Sequence, residues 1–185
     1  MLVASLHKIG LLLFVDIKIG AVLGEAPVES PRGLAFDARG RLLVLSGARL
    51  LRYTVNPHSP AKLPLPETPV ADGLEDPQGL TLDLQGNLFV SDHGQSHQVK
   101  VFHPDGKFQH AIGQAGAPQA GAYDPLHLNH PAGLAIDANH RLWVTENDFL
   151  PKRVSVWNQD GTLWKAFYGP AKYGGGGTLD PEDKT

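Results

Sequence analysis

The chain has 185 residues, of which 42% are hydrophobic and 19% charged, a composition that folds rather than stays disordered. Its formal net charge of −3 and scattered basic residues give no positive field to attract nucleic acid, and no apolar run approaches the roughly 18 residues of a membrane span. The absence of cysteine excludes disulfides, thiolate metal centres and a cysteine nucleophile; it assigns no compartment and leaves soluble, secreted and periplasmic settings open.

The length predicts one domain. Its 21 glycines and 15 prolines suit a protein of many short strands and turns. Near the N-terminus, Lys8 precedes the apolar run at 11–15. That run is short for a leader peptide, and Asp16 and Lys18 break the apolar character directly after it, so it reads as a buried strand. A turn at 16–20 and an outer strand at 21–24 are expected next.

Three segments then align without a gap: residues 31–44 (PRGLAFDARGRLLV), 77–90 (PQGLTLDLQGNLFV) and 131–144 (PAGLAIDANHRLWV). Six positions are identical in all three. Each copy predicts a hairpin. A first strand (34–36, 80–82, 134–136) leads into a turn opened by Asp37, Asp83 or Asp137 and closed around Gly40, Gly86 or His140. Asp suits that place because its carboxylate accepts nearby backbone N–H groups, and Gly supplies positive φ. A second strand comes next (42–44, 88–90, 142–144), apolar on both faces, as expected of a sheet sandwiched between two others. Third strands at 50–53, 99–102 and 154–157 each end in an aromatic ring. Asp105-Gly106 and Asp160-Gly161 are hairpin turns leading to fourth strands at 108–112 and 163–167. In the first copy Pro57, Pro60, Pro64 and Pro66 argue against a clean outer strand.

The block P-x-G-L-x-x-D-x-x-G-x-L-x-V, with its following strand and Asp-Gly turn, resembles the NHL repeat over roughly residues 26–170. The run 123–177 is similar to NHL-containing proteins from bacteria. The resemblance implies an all-β repeat protein, a β-propeller whose parent ring has six blades. At about 45 residues per blade, such a ring needs on the order of 270 residues. The chain is therefore expected to be a fragment, an incomplete propeller with three full blade cores and partial blades at both ends. The predicted organisation is the end of a preceding blade at 1–30, blades at 31–76, 77–130 and 131–170, and the truncated start of another element at 171–185. A small open or self-associating propeller is the alternative.

If the strands run as in similar propellers, the loops after each second strand and the connections between blades share one face. Those loops lengthen along the chain (45–49, 91–98, 145–153), and the connection 114–130 joins them. Ligand-face candidates are Asp92, His93, His97, Asp124, His127, His130, Glu146, Asn147 and Asp148. Imidazoles and carboxylates there suit ligand or metal binding, although the same groups also satisfy turn backbones and water. His93 and His97 have the spacing of a helical metal pair, but Gly94, Gln95 and Ser96 between two strands make a helix improbable. Lys152 and Arg153 read as flanks of a strand.

Related enzymes are tested by motif. The amidating lyases resemble NHL propellers and place His between the repeat Pro and Gly; Arg32, Gln78 and Ala132 stand there instead. Gluconolactonase-like propellers hold a metal through Glu, Asn and Asp. Glu146, Asn147 and Asp148 match in type but are contiguous. No nucleophile elbow surrounds Ser91 or Ser96, and no phosphate loop is present. The expected function is thus a non-catalytic binding scaffold for a protein, peptide or glycan partner, with no catalytic residue and no cofactor. The alternative is a hydrolase or lyase of the lactonase-like class, for which Ca or Zn would be needed. An RNA-binding propeller is a third reading, opposed by the net charge of −3.

Overall fold

In the computed structural model the described residues are 1–118, 124–146, 152–172 and 175–177. They form almost only antiparallel strands. Three four-stranded sheets succeed one another, each built in simple meander order. The first is β4 (Pro31–Phe36), β5 (Leu42–Ser46), β6 (Arg49–Tyr53) and β7 (Glu67–Val70). The second is β8 (Pro77–Leu82), β9 (Leu88–Asp92), β10 (Gln98–Phe102) and β11 (Phe108–Ile112). The third is β12 (Pro131–Ile136), β13 (Leu142–Glu146), β14 (Arg153–Trp157) and β15 (Leu163–Tyr168).

A three-stranded sheet precedes them, made of β1 (Leu2–Leu6), β2 (Leu11–Val15) and β3 (Val22–Pro27). The sequence pointed to β2 and an outer strand but not to β1, whose residues 2–6 show no turn signal before them. A short pair, β16 (Pro170–Lys172) and β17 (Gly175–Gly177), comes after the last sheet. In the first copy an outer strand does form, but only at Glu67–Val70, once the prolines at 57, 60, 64 and 66 have passed. The rest of the glycine-rich tail lies outside the described residues.

The repeat explains the geometry. Asp37 Oδ1 accepts the backbone N–H groups of Arg39 and Arg41, and Asp137 Oδ1 those of Asn139 and Arg141. Asp83 takes the Asn87 N–H in the same way. The closing residue of each turn is left-handed: Gly40 at φ 73°, Gly86 at 83° and His140 at 61°.

The first strands β4, β8 and β12 are the inner edges of their sheets and pack directly on one another. The repeat glycine permits this. A Cβ on Gly33 would meet the Leu80 nitrogen at 2.9 Å, and one on Gly79 would collide with the Ala132 carbonyl oxygen. Ser91 Oγ accepts the Gly79 N–H at 2.8 Å and donates to that same carbonyl at 2.6 Å, joining two blades through one hydroxyl.

Core packing lies between sheets. Leu43, Leu45 and Leu50 of one blade meet Leu80, Leu88 and Val90 of the next. Phe89, Val99 and Ile112 then meet Leu142, Val144 and Trp157. Leu12 and Phe14 of the first sheet pack against Leu42, Val44 and Tyr53. This is why both faces of β5 and β9 are apolar and all their residues buried.

Candidate functional site

The beginning of each first strand pairs with the end of each second strand: Pro31 with Ser46, Pro77 with Asp92, Pro131 with Glu146. The connections between blades arrive at this same end, and each is tethered at a fixed place. Ser46 Oγ donates to the Glu29 carbonyl at 2.6 Å. Asp92 accepts the N–H groups of Glu75 at 3.0 Å and Asp76 at 2.7 Å. Glu146 accepts the Asn129 N–H at 2.7 Å. Glu29, Glu75 and Asn129 each stand two residues before the repeat proline.

Two of these tethers are charged and paired inside the protein. Lys100 Nζ reaches the fully buried Asp92 carboxylate at 2.7 Å. Burial pushes the Asp92 carboxyl up, but Lys100 and the two backbone donors outweigh it and hold it below its usual value. Glu146 takes the Arg153 guanidinium and the Ser155 hydroxyl. Here burial prevails over Arg153 and raises the carboxyl. Arg153 also donates to the Pro125 and His127 carbonyls, at 2.8 and 2.7 Å, so it opens β14 as an internal clamp. The oxygens of both candidates thus face scaffold donors.

Above this layer three imidazoles meet. The His93 and His130 ring centroids are 5.1 Å apart, and those of His97 and His130 are 4.6 Å apart, both edge to face. The His130 N–H donates to His97 Nδ1 at 3.1 Å, which places the proton of neutral His97 on Nε2. His97 and His130 are both held in the left-handed region, at φ 48° and 49°. Such conformations are costly for non-glycine residues and concentrate at functional places. The His93 N–H donates to the Asp76 carbonyl at 3.0 Å, while its Nδ1 lies 3.8 Å from the Asp76 carboxylate. Burial, and then the neighbouring His130, lower the His93 pKa against the pull of Asp76. His93 Nε2 is buried without a hydrogen-bond partner.

Asp76 extends this cluster to the axis. It forms an ion pair with Arg32 of the preceding blade at 2.9 Å, and its carbonyl accepts the Gln78 side-chain amide at 3.0 Å. Arg32 and Gln78 are the second residues of β4 and β8. The site is therefore Arg32, Asp76, Gln78, His93, His97 and His130, where the starts of β4 and β8 meet the connections between blades.

Of the sequence candidates, the structure brings together His93, His97 and His130. It sets Asp92 and Glu146 beneath them as tethers. Asp124 and His127 form their own pair at 2.9 Å, with Asp124 also accepting the Leu126 N–H. Asn147 and Asp148 lie outside the described residues. Asp76 was not among the candidates. Its signal was its register: it directly precedes Pro77, where Ser30 and His130 stand in the other copies. Among the described residues no group of three or more His, Cys, Asp or Glu is arranged to hold a metal ion. Nor does any described helix have the length and apolarity to cross a membrane.

Successive four-stranded sheets, inner strands packed around one axis and loops converging at one end define a β-propeller, here an incomplete one. Solved structures share the architecture. The chain is similar to a virginiamycin B lyase from Staphylococcus aureus, with a TM-score of 0.60 and 16% identity, over 89% of this chain and 50% of that one. It is similar to a structure described as a streptogramin B lyase, with a TM-score of 0.58 and 16% identity, over 91% of this chain and 51% of the other. A protein of unknown function from Bacteroides caccae gives a TM-score of 0.55 at 14% identity, over 89% and 58%. The chain thus spans about half the length of the propellers it matches. No family model matches it, and no curated protein does.

Proposed function

We propose that the chain is part of an NHL-type, six-bladed propeller that works as a non-catalytic binding platform. Its ligand face is made by the loops 91–98, 114–130 and 145–153, and its partner is a protein, peptide or glycan. The contact of His93, His97 and His130 beside the Arg32–Asp76 pair is the observation that carries this reading. Burial favours the neutral form of His93, so this residue adds no positive charge to the face. Such a surface suits peptide amides or sugar hydroxyls, and clustered aromatic rings add apolar area.

Screening the purified chain against peptide and glycan arrays tests this. A ligand should be found whose binding falls at least tenfold in His93→Ala and His130→Ala and persists in Asp105→Ala, in the turn between β10 and β11. Binding indifferent to both histidines rejects the assignment of the face.

A second reading is favoured by His93 itself. An imidazole whose neutral form is favoured by burial can abstract a proton, the demand that elimination makes of a general base. Two of the similar propellers are described as lyases. In a lactonase-like version Glu146 would have to serve a Ca or Zn ion, a role that its ion pair with Arg153 does not fit. Consumption of virginiamycin B by the chain, abolished in His93→Ala, would select the lyase reading over the platform.

A further inference from the structure

The joint between the first two four-stranded blades carries a groove at its outer strands. One wall is the end of β7 and the residues after it, from Pro69 to Gly73. The other is the β10–β11 hairpin, through Phe102, Gly106 and Phe108. Its volume of about 310 Å³ is at the low end for ligand sites, so it takes a single group rather than an extended ligand. Both walls are fixed. A Cβ on Gly106 would collide with the Pro69 carbonyl oxygen, so the hairpin turn abuts β7 directly. Arg52 Nη2 donates to the Pro104 carbonyl at 2.7 Å and Lys100 Nζ to the Gly73 carbonyl at 2.8 Å, each bond crossing the joint.

The groove is aromatic on one side and anionic on the other. Phe102 is buried, while Phe108, edge to face with it at 5.8 Å, is 59% exposed. Asp72 is exposed, and among the described residues its carboxylate makes no ion pair and accepts no hydrogen bond. Lys100 and Lys107, on the same hairpin as the two rings, are engaged by Asp92 and Asp105 instead. Gly73, left-handed at φ 81°, has no side chain to cover Asp72.

The repeat does not require this combination. In the next joint, strand register puts Trp157 in place of Phe102 and Leu163 in place of Phe108. Gln114, two residues past Ile112, stands where Asp72 follows Val70, and its N–H donates to the Leu126 carbonyl of its own longer connection. The exposed ring and the unpaired carboxylate thus belong to one groove and not to the scaffold.

We propose that this groove docks an arginine side chain of a partner polypeptide. Asp72 accepts the guanidinium, whose planar fork of donors matches two carboxylate oxygens, and the Phe108 ring lies against the guanidinium plane. A lysine ammonium fits less well, being a strongly hydrated point charge with no plane to stack. The net charge of −3 also favours a cationic partner. No residue of the imidazole site takes part, so failure at one site leaves the other standing.

Amide NMR titration of the chain with the peptide acetyl-Gly-Arg-Gly-amide tests the proposal. The amides of Asp72, Gly73, Gly106 and Phe108 should shift saturably at millimolar peptide. Asp72→Asn and Phe108→Ala, both at exposed positions, should each weaken binding about threefold or more. Citrulline in place of the peptide's arginine, which keeps the shape and removes the charge, should weaken it at least as much. Rising sodium chloride should weaken it as well. The citrulline comparison needs no variant, so it holds even if Phe108→Ala loosens the hairpin. No saturable shift at these four amides overturns the proposal. So does binding that is unchanged in Asp72→Asn, unchanged with citrulline, or as tight for the matching lysine peptide.

Discussion

At the scale of single residues, the tethers and the turns make opposite kinds of statement. Asp92 is a buried carboxylate whose charge is matched by Lys100. Asp92→Asn leaves that lysine without its partner, which should cost about 3 kcal/mol in urea denaturation at pH 7. Because the folded Asp92 carboxyl lies below its ordinary 3.8, its stabilisation is present above that pH and lost as pH falls through the folded value. The gap between wild type and Asp92→Asn should therefore narrow when the denaturation is repeated progressively below pH 3.8. His140 is a different case. It holds the left-handed turn position that glycine fills in the other two copies. His140→Gly should raise stability by about 1 kcal/mol, the strain relieved exceeding the chain entropy added. No gain in midpoint would mean that the His140 ring makes a compensating contact.

At the scale of elements, the inner strands decide how closely the blades approach. Gly79 and Gly133 occupy the same repeat position, but their surroundings differ. A methyl group at Gly79 meets the backbone of the next blade, which cannot turn aside; at Gly133 it meets the Thr145 hydroxyl, 2.9 Å away on a side chain that can. Gly79→Ala should cost about 3 kcal/mol and Gly133→Ala about 1, and equal midpoint shifts in thermal denaturation would contradict this account.

The strands were largely legible because they carry local signals: an Asp-opened turn, an alternation, a closing glycine. The candidate site was legible only in part. His93, His97 and His130 stood out by residue type, yet their contact joins two blades and no local pattern encodes it. Asp92 and Glu146 looked like ligand groups because acidic residues in loops usually face solvent. Their role depends on Lys100 and Arg153 across a neighbouring strand, a pairing that only strand register reveals. Arg32 and Asp76 meet between blades for the same reason.

At the scale of the whole molecule, stability should be graded along the chain, because each blade touches only its neighbours. Leu88 is fully buried between two blades, whereas Leu2, at the equivalent place in the first sheet, is not. Leu88→Ala should cost about 3 kcal/mol or more and Leu2→Ala less than about 1. Amide exchange should show the same order, slowest in β9 and fastest in β1. Uniform protection across the four sheets would show instead that the array unfolds as a single unit.

The last blade has one more property, arising from where its aromatic residues fall. All three tryptophans of the chain, Trp143, Trp157 and Trp164, belong to it. Trp157 is sealed in the core, while Trp164 lies on the surface beneath the Arg141 guanidinium, 3.8 Å from its ring centre. The ultraviolet emission of the protein is thus a private signal of one blade, with a blue-shifted and a red-shifted source side by side. Heating monitored at once by emission and by circular dichroism can tell that blade's loosening from the melting of the remaining sheets, with no label introduced.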